Sequence, residues 1–180
     1  MCGRFTLVTK ESDLFETFHI ENNQFGDIHS MYNIAPTNTI PGVAVYEGKR
    51  TLMDYKWGLI PFWSKTSKTS YSLINARAET VQSKPAFRSI FVKNRIVIPA
   101  TGFYEWRKEG PDKQPFHIVL KNEHLLGFAG LYDEWKDENE QIIRSCTIIT
   151  TEPNSYISDL NLHDRMPVIL DKESMDTYMA

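Results

Sequence analysis

From residue 43 onwards the sequence is a succession of short strand-like runs, and this feature does most to limit the fold. Two runs, at residues 43–46 and 51–57, flank Glu47-Gly48-Lys49, which has the composition of a hairpin turn. A strong run follows at residues 95–106, and others cover residues 115–120, residues 125–135 and the segment around Cys146, which we interpret as a buried strand. About eight such runs predict a β-rich α+β fold whose mixed sheet curls towards a barrel.

Only a few short helices accompany these strands. An apolar face at helical spacing indicates a first helix that Thr9 caps, and Pro153 opens another. Further short helices are predicted at residues 83–91 and 171–180. A chain of 180 residues suits one domain with a real core, so we expect a single domain over residues 1–180.

The segment 20–42 is rich in Asn, Gly and Pro and is predicted to be a loop. Within it, Pro36 fixes its own backbone angle and pushes Ala35 towards an extended conformation. A rigid loop of this kind could present Asn33 and Thr37 to a ligand. It could equally be an ordinary connection between two elements.

The distribution of charge is more informative than the net charge of −3, which argues against a protein that binds nucleic acid indiscriminately. Residues 49–108 hold 12 basic and 3 acidic side chains, whereas both flanks are acidic. This basic middle fits a local anion-binding surface. The alternative is that its basic residues lie on several faces of the folded chain.

The sequence lacks the signals of a membrane, secreted or zinc protein. No run approaches the roughly 18 apolar residues of a membrane span, and the N-terminus has no secretory signal. The two cysteines are too few for a disulfide scaffold, and no His or Cys cluster has zinc spacing. We therefore expect a cytoplasmic protein without a structural zinc.

Cys2 lies one peptide bond from the N-terminus, and its small side chain generally permits removal of Met1. The product would carry an α-amine next to a thiol. An α-amine has a pKa near ~8, so a useful fraction is neutral and nucleophilic at pH 7. It can condense with an aldehyde to an imine, and the thiol can then close a thiazolidine ring. The alternative is that Cys2 is an ordinary small residue of the core.

Several side chains could contact an anionic ligand that bears aromatic bases. Trp63 precedes a polar run and is expected to be exposed, as base stacking requires, although it could also be a half-buried lid over the core. Asn75, Arg77 and Glu79 would share one face of a strand, because strand side chains alternate. Arg77 could clamp a phosphate with its planar guanidinium, and Arg88 lies on the short helix predicted next.

Two side chains are candidates for proton transfer. Counting by twos along the strand puts Glu105 on one face with Phe103, and Tyr104 and Trp106 on the other. Burial among aromatic rings would raise the pKa of Glu105 and suit it to act as an acid or base, unless a nearby Arg neutralises it. His163 lies on a loop, where it could move protons near pH 7, although an isolated His can equally be structural.

Taken together and in order, these motifs resemble the SRAP family, proteins that crosslink to abasic sites in single-stranded DNA. The matching segments are Met1-Cys2-Gly3-Arg4-Phe5, residues 33–36, residues 57–63, Asn75-Ala76-Arg77-Ala78-Glu79, Gly102-Phe103-Tyr104-Glu105-Trp106 and His163-Asp164-Arg165-Met166-Pro167. They spread over nearly the whole chain. The family usually continues for some tens of residues further, which leaves truncation after residue 180 open.

The resemblance implies a mechanism and a role for each matching residue. The Cys2 α-amine would form an imine with the aldehyde of an opened abasic sugar, and the Cys2 thiol would close the ring. Asn75 would hold the sugar or the amine, Glu105 would be the acid/base, and His163 would assist proton transfer. The residues expected to contact DNA are Arg4, Asn33, Pro36, Trp63, Arg77, Arg88, Trp106, Arg165 and Met166.

The resemblance also implies a cellular role. The crosslink would shield the abasic site from strand cleavage during the DNA damage response. The same imine would permit β-elimination and thus weak lyase activity, and family members are described as releasing their own N-terminal residue. We expect a monomer that needs no metal or cofactor and whose partner is single-stranded DNA containing abasic sites.

Two other classes remain open. An N-terminal-nucleophile amidohydrolase also uses a terminal Cys whose own amine is the base, but it has no reason to carry a basic middle with exposed Trp. A non-catalytic single-strand binding module would keep Cys2 buried. Its DNA binding would survive Cys2→Ala and would fall steeply with salt.

Overall fold

The computed structural model describes residues 2–68 and 73–180, which form thirteen strands and four helices. The strands are β1 Phe5–Leu7, β2 Asn22–Asn23, β3 Met31–Ile34, β4 Thr39–Tyr46, β5 Lys49–Trp57, β6 Asn75–Arg77, β7 Arg95–Ala100, β8 Gly102–Glu109, β9 Asp112–Ile118, β10 Leu126–Lys136, β11 Ile142–Thr151, β12 Met166–Pro167 and β13 Ile169–Leu170. The helices are α1 Glu11–Phe18, α2 Arg88–Lys93, α3 Ser155–Asp159 and α4 Lys172–Met179.

Five strands close into a barrel, which confirms the predicted curled mixed sheet. Antiparallel pairing runs from β11 through β10, β7 and β4 to β5. A parallel pairing of β5 with β11 then closes the ring, with Cys146 opposite Trp57. Both side chains are fully buried, so the predicted core role of Cys146 is also confirmed.

A second sheet of four antiparallel strands, in the order β3-β1-β8-β9, shares this core. The run predicted as one strand from 95 to 106 breaks at Thr101, because β7 belongs to the barrel and β8 to the second sheet. At the break, the Thr101 amide donates to the Thr6 carbonyl at 2.7 Å. The Thr101 hydroxyl accepts from the Val8 amide at 3.1 Å. These bonds attach the crossing point to the N-terminal segment.

The N-terminal segment is anchored in the core. Cys2, Phe5 and Leu7 are fully buried, and β1 lies between β3 and β8. The Phe5 ring packs edge-on against Trp57 and Phe128, with centroids 5.2 and 5.7 Å away. Burying one such side chain contributes about 1.5–3 kcal/mol. The backbone that carries Cys2 is therefore part of the folded body.

Several local predictions need correction. The segment predicted as a loop over 20–42 contains β2 and β3 and the start of β4, because short edge strands are set by their partners rather than by composition. Thr9 does not cap α1, whose N-cap residue is Lys10 without a side-chain cap. Helix α2 begins only at Arg88, after a series of turns, and Asn154 caps α3.

The predicted hairpin turn is confirmed at Glu47 and Gly48, which both have positive φ.

Candidate active site

Two clefts meet at His163. The Asn75 cleft has a volume of about 610 Å³ and is lined by Trp63, Leu73, Asn75, Arg77, Lys84, Pro85, Ala86, Phe87, Thr150, His163, Asp164 and Arg165. The Glu105 cleft has a volume of about 380 Å³ and is lined by Gly3, Arg4, Glu105, Trp106, Lys108, Lys113 and His163. Five of the six sequence motifs thus contribute to two adjoining depressions, and residues 33–36 line neither of them.

Strand β6 aims Asn75 and Arg77 into the Asn75 cleft. It pairs in parallel with β11, and strand alternation then turns Ala76 into the core. Asn75 Nδ2 donates to the Ile148 carbonyl at 3.4 Å. Asn75 Oδ1 is buried and accepts no hydrogen bond from the described part of the chain. An unpartnered amide oxygen in a cleft can accept from an amine or a hydroxyl group.

Glu105 lies on the inner face of β8 and is only 3% exposed. Burial is the main cause that raises its pKa from 4.5 to about 7, and the charge of Asp164 raises it further. The expected rise in the pKa of Glu105 is therefore confirmed. A carboxyl group that titrates near neutral pH can both donate and accept a proton under physiological conditions.

The charge of Glu105 acts on the thiol group of Cys2. Burial raises the pKa of the Cys2 thiol far above its ordinary value, and the charge of Glu105 is the second cause. The thiol is therefore protonated at neutral pH while Met1 is attached. The structure places Cys2 in the main core, as the alternative interpretation expected, and close enough to Glu105 for that carboxyl group to raise the pKa of its thiol.

His163 is oriented by its own loop. Its Nδ1 accepts from the Arg165 backbone amide at 2.9 Å. Burial is the largest cause that lowers the pKa of His163, so the ring is neutral at pH 7. A neutral ring that accepts at Nδ1 carries its proton on Nε2. Asp164 Oδ1 lies 2.8 Å from the same Nδ1 and would pair with the ring once it is protonated.

Arg165 holds the His163 loop in place. Its guanidinium donates to both Glu79 carboxylate oxygens at 2.9 Å and to the Thr150 carbonyl at 2.7 Å. The hydrogen bond from Arg165 is also the main cause that lowers the pKa of Glu79 to about 2. Glu79 lies in the turn after β6, so this pair connects the His163 loop to the Asn75 strand. The structure gives Arg165 a structural role, and its contact with phosphate stays a prediction.

Trp63 and Trp106 present exposed rings to the two clefts. Trp63 is 58% exposed and Trp106 is 38% exposed, which confirms the expected exposure of Trp63.

Two hydrogen bonds from β10 fix the loop that carries Trp63, here named the Trp63 loop. Asp133 Oδ2 accepts from the Phe62 amide at 2.8 Å, and Trp135 Nε1 donates to the Ser64 carbonyl at 2.8 Å. The role of Asp133 was not predicted from the sequence, although a carboxylate inside an otherwise apolar strand could have indicated it.

The remaining predicted contacts divide into two groups. Arg4 lines the Glu105 cleft and donates to Asn33 Oδ1 at 2.9 Å, so residues from two distant motifs meet there. Pro36, Arg88 and Met166 line neither cleft, and the Met166 sulfur instead accepts from the Asn154 amide. DNA contact by these three residues stays a prediction.

The basic middle reaches the clefts only in part. Arg77, Lys84 and Lys108 line them, together with Lys113 from β9, which lies outside the basic middle and was not predicted. Arg50 instead pairs with an acidic side chain of α4, Asp176, on another face. The clefts thus receive a cluster of basic residues, while other basic residues stabilise the fold elsewhere.

Within residues 2–68 and 73–180, no group of three or more His, Cys, Asp or Glu side chains is arranged to hold a metal ion. In the same part of the chain, every helix is too short or too polar to cross a membrane.

Comparison with known proteins identifies the family. The model of the family described as SOS response associated peptidase (SRAP) matches residues 1–180. The abasic site processing protein YoqW of Bacillus subtilis is 46% identical over 178 residues, covering 97% of this chain and 78% of that protein. The abasic site processing protein YoaM of the same organism is 45% identical over 174 residues, covering 94% and 75%. The chain belongs to the SRAP family.

The fold agrees with this assignment. A protein from Bacteroides thetaiotaomicron, solved by X-ray crystallography, superposes with a TM-score of 0.88 at 28% sequence identity. The match covers 99% of this chain and 81% of the other.

Proposed function

We propose that this protein recognises abasic sites in single-stranded DNA and captures them covalently through Cys2 after Met1 has been removed. The observation that carries the proposal is that Glu105 and His163 line the same cleft and that the charge of Glu105 acts on the buried thiol of Cys2. The names of YoqW and YoaM, which are abasic site processing proteins, support the same substrate.

The first chemical step is imine formation. The neutral α-amine of Cys2 attacks the aldehyde carbon of the opened sugar, and a proton moves from nitrogen to oxygen to give a carbinolamine. Glu105, with a pKa of about 7, donates a proton to the departing hydroxyl group, which leaves as water. The products are an iminium ion and the Glu105 carboxylate.

Ring closure restores the starting state of the acid/base. The Cys2 sulfur bonds to the iminium carbon, and the electron pair of the carbon–nitrogen double bond returns to nitrogen. The thiol proton passes to the Glu105 carboxylate. The balance is one aldehyde, one amine and one thiol converted into a thiazolidine and one water. This route needs no free thiolate, which agrees with the raised pKa of the Cys2 thiol.

Asn75 and His163 would prepare the sugar. Asn75 Oδ1 is a buried acceptor that can bind the α-amine or a sugar hydroxyl group. The Nε2 proton of His163 can be donated to the ring oxygen as the closed sugar opens to the aldehyde. Both side chains line the Asn75 cleft, so they can act on the same sugar.

The rest of the two clefts suits a single strand. Arg4, Arg77, Lys84, Lys108 and Lys113 offer positive charge for phosphates. The exposed rings of Trp63 and Trp106 offer surfaces on which the flanking bases can stack. We further infer that the protein acts as a cytoplasmic, DNA-associated monomer in the DNA damage response, and that its imine permits weak lyase activity. Its Met1 leaves by self-cleavage or through an aminopeptidase.

The test is a denaturation-resistant adduct. Protein whose intact mass shows the loss of Met1 is mixed with single-stranded DNA carrying one abasic site, and separately with intact DNA. We expect a band that survives boiling only with abasic DNA, with the mass of protein plus DNA minus one water. No band from such a sample would refute the proposal and favour an amidohydrolase.

Two variants separate the roles of the thiol and the amine. Cys2→Ala should abolish the stable adduct and leave non-covalent DNA binding largely intact, and equal loss of both would contradict the assigned role. An N-terminal extension that keeps the Cys2 nitrogen in a peptide bond should also abolish the adduct. A full-strength adduct from that extended protein would rule out attack by the amine.

A further inference from the structure

The outer face of the second sheet carries three neighbouring aromatic rings, Trp106, Tyr104 and His117, here named the aromatic ladder. Trp106 and Tyr104 are two residues apart on β8, and His117 is the register partner of Tyr104 on β9. The ring centroids are 6.2 Å apart for Trp106 and Tyr104, and 4.8 Å apart for Tyr104 and His117. The interplanar angles are 40° and 30°, so neighbouring rings are tilted relative to one another.

The aromatic ladder joins two cavities. Trp106 lines the Glu105 cleft, whereas His117 lines a third cavity of about 560 Å³, here named the Thr6 pocket. Strand β1 makes the same connection, because the adjoining Arg4 lines the cleft and Thr6 lines the pocket. The candidate active site therefore continues along the sheet into a second binding space.

The Tyr104 and His117 rings are held in position by hydrogen bonds within the protein. His117 Nε2 lies 3.0 Å from Thr6 Oγ1, in hydrogen-bond contact. The Tyr104 hydroxyl donates to the Tyr32 carbonyl at 3.1 Å. A Cβ on Gly102 would collide with His117 Nε2, so glycine there leaves room for the imidazole over the strand. A preorganised surface loses less conformational freedom on binding.

We propose that the aromatic ladder and the Thr6 pocket bind the nucleotides that flank the abasic site, with bases stacked on the rings and the outermost base in the pocket. This proposal rests on the proposed function. Four-stranded sheets with aromatic rings on the open face bind single strands by stacking two or three bases, and stacking tolerates any sequence. Lys113 at the cleft and Lys121 at the pocket supply charge for phosphates, whereas Glu123 is the acidic residue of the pocket.

The first test compares substrates of different length. An abasic oligonucleotide with one nucleotide on each side is compared with forms extended by four nucleotides on the 5′ or the 3′ side. Extension on one side should lower the half-saturating DNA concentration for adduct formation by roughly 5- to 150-fold for each ring engaged. His117→Ala should remove one ring's share of that gain, roughly 5- to 150-fold, and His117→Phe, which keeps a ring, should retain it.

Tyr156→Ala is the matched control, because Tyr156 is an exposed aromatic residue on α3 outside the aromatic ladder and the Thr6 pocket. It should leave the length dependence unchanged. The short substrate could form an adduct while extension lowers the half-saturating DNA concentration equally for wild type and His117→Ala. That result would refute DNA binding by the aromatic ladder and leave the proposed function intact. If no substrate gives an adduct, anisotropy with intact strands of three and eight nucleotides measures the same length dependence.

The second test needs no substitution and so does not depend on a variant that folds. An iodouracil base is placed at successive positions on either side of the abasic site, the complex is irradiated, and the crosslinked peptides are identified by mass spectrometry. Crosslinks to Tyr104 or His117 from bases on one side are expected. Crosslinks confined to the Trp63 loop would overturn the proposal and leave the sheet face to a protein partner.

Discussion

Loss of the proton from Glu105 should lower the free energy of unfolding as the pH rises. Its pKa in the folded protein is about 7, against an ordinary 4.5, and burial is the main cause. At about 1.4 kcal/mol per pH unit, this difference amounts to about 3 kcal/mol. The folded state holds the proton more tightly, so the stabilisation is complete below pH 4.5. It is lost as the pH rises to about 7.

The perturbation is Glu105→Gln, which keeps the size of the side chain and removes its charge. We would measure the free energy of unfolding of both proteins by urea denaturation at pH 4 and at pH 8. Titrating groups that do not interact with Glu105 affect both proteins alike. The stability of wild type relative to the variant should therefore fall by about 3 kcal/mol between the two pH values. Glu138→Gln, at an exposed residue in the β10–β11 turn, is the matched control and should show no such change.

Two results would refute this reasoning. If wild type and Glu105→Gln show the same change in stability between pH 4 and pH 8, the folded and unfolded states hold the Glu105 proton equally well. If wild type instead gains stability relative to the variant as the pH rises, a partner stabilises the carboxylate more than burial disfavours it. In either case Glu105 could not be the proton donor in carbinolamine breakdown at neutral pH.

Arg77→Ala should weaken binding to single strands of different sequence by the same factor and reduce the salt slope of log Kd by about 0.7. Anisotropy titrations with three oligonucleotides measure both quantities. Lys49→Ala, at a basic residue outside the clefts, is the control. A loss of affinity that depends on the DNA sequence would contradict a phosphate contact. Asp133→Ala should lower the free energy of unfolding by about 1–3 kcal/mol and raise the Kd for DNA, because the Phe62 amide loses its acceptor and the loop that carries Trp63 loosens. Ile148→Val, a core change that costs about 0.5–1.5 kcal/mol, is the control, and equal DNA affinity in both variants would exclude a positioning role for Asp133.

Local periodicity was enough to predict the orientation of the main site residues. Alternation along β8 correctly put Glu105 and Trp106 on opposite faces of the strand, and alternation along β6 correctly separated Asn75 from Ala76. The exposure of Trp63 followed from the polar run after it. In each case the sequence neighbours within two residues decide which way a side chain points, so no knowledge of distant partners was needed.

Pairings between distant residues could not be predicted in this way. The guanidinium of Arg165 turns to Glu79, 86 residues earlier, and no local pattern distinguishes that partner from a phosphate. The break at Thr101 depends on strand β1, which lies 95 residues earlier in the chain. The short strands β2 and β3 likewise exist because β5 and β1 offer them open edges.

The burial of Phe5 and Leu7 has a consequence for how an adduct could be cleared. A protein joined to DNA through residue 2 would be joined through a strand that lies inside the folded body, between β3 and β8. A protease that cuts only surface loops of the native chain would leave that body attached to the nucleic acid. Removal of the adduct by proteolysis would therefore require an unfolding motor that pulls the barrel apart before its peptides can be trimmed.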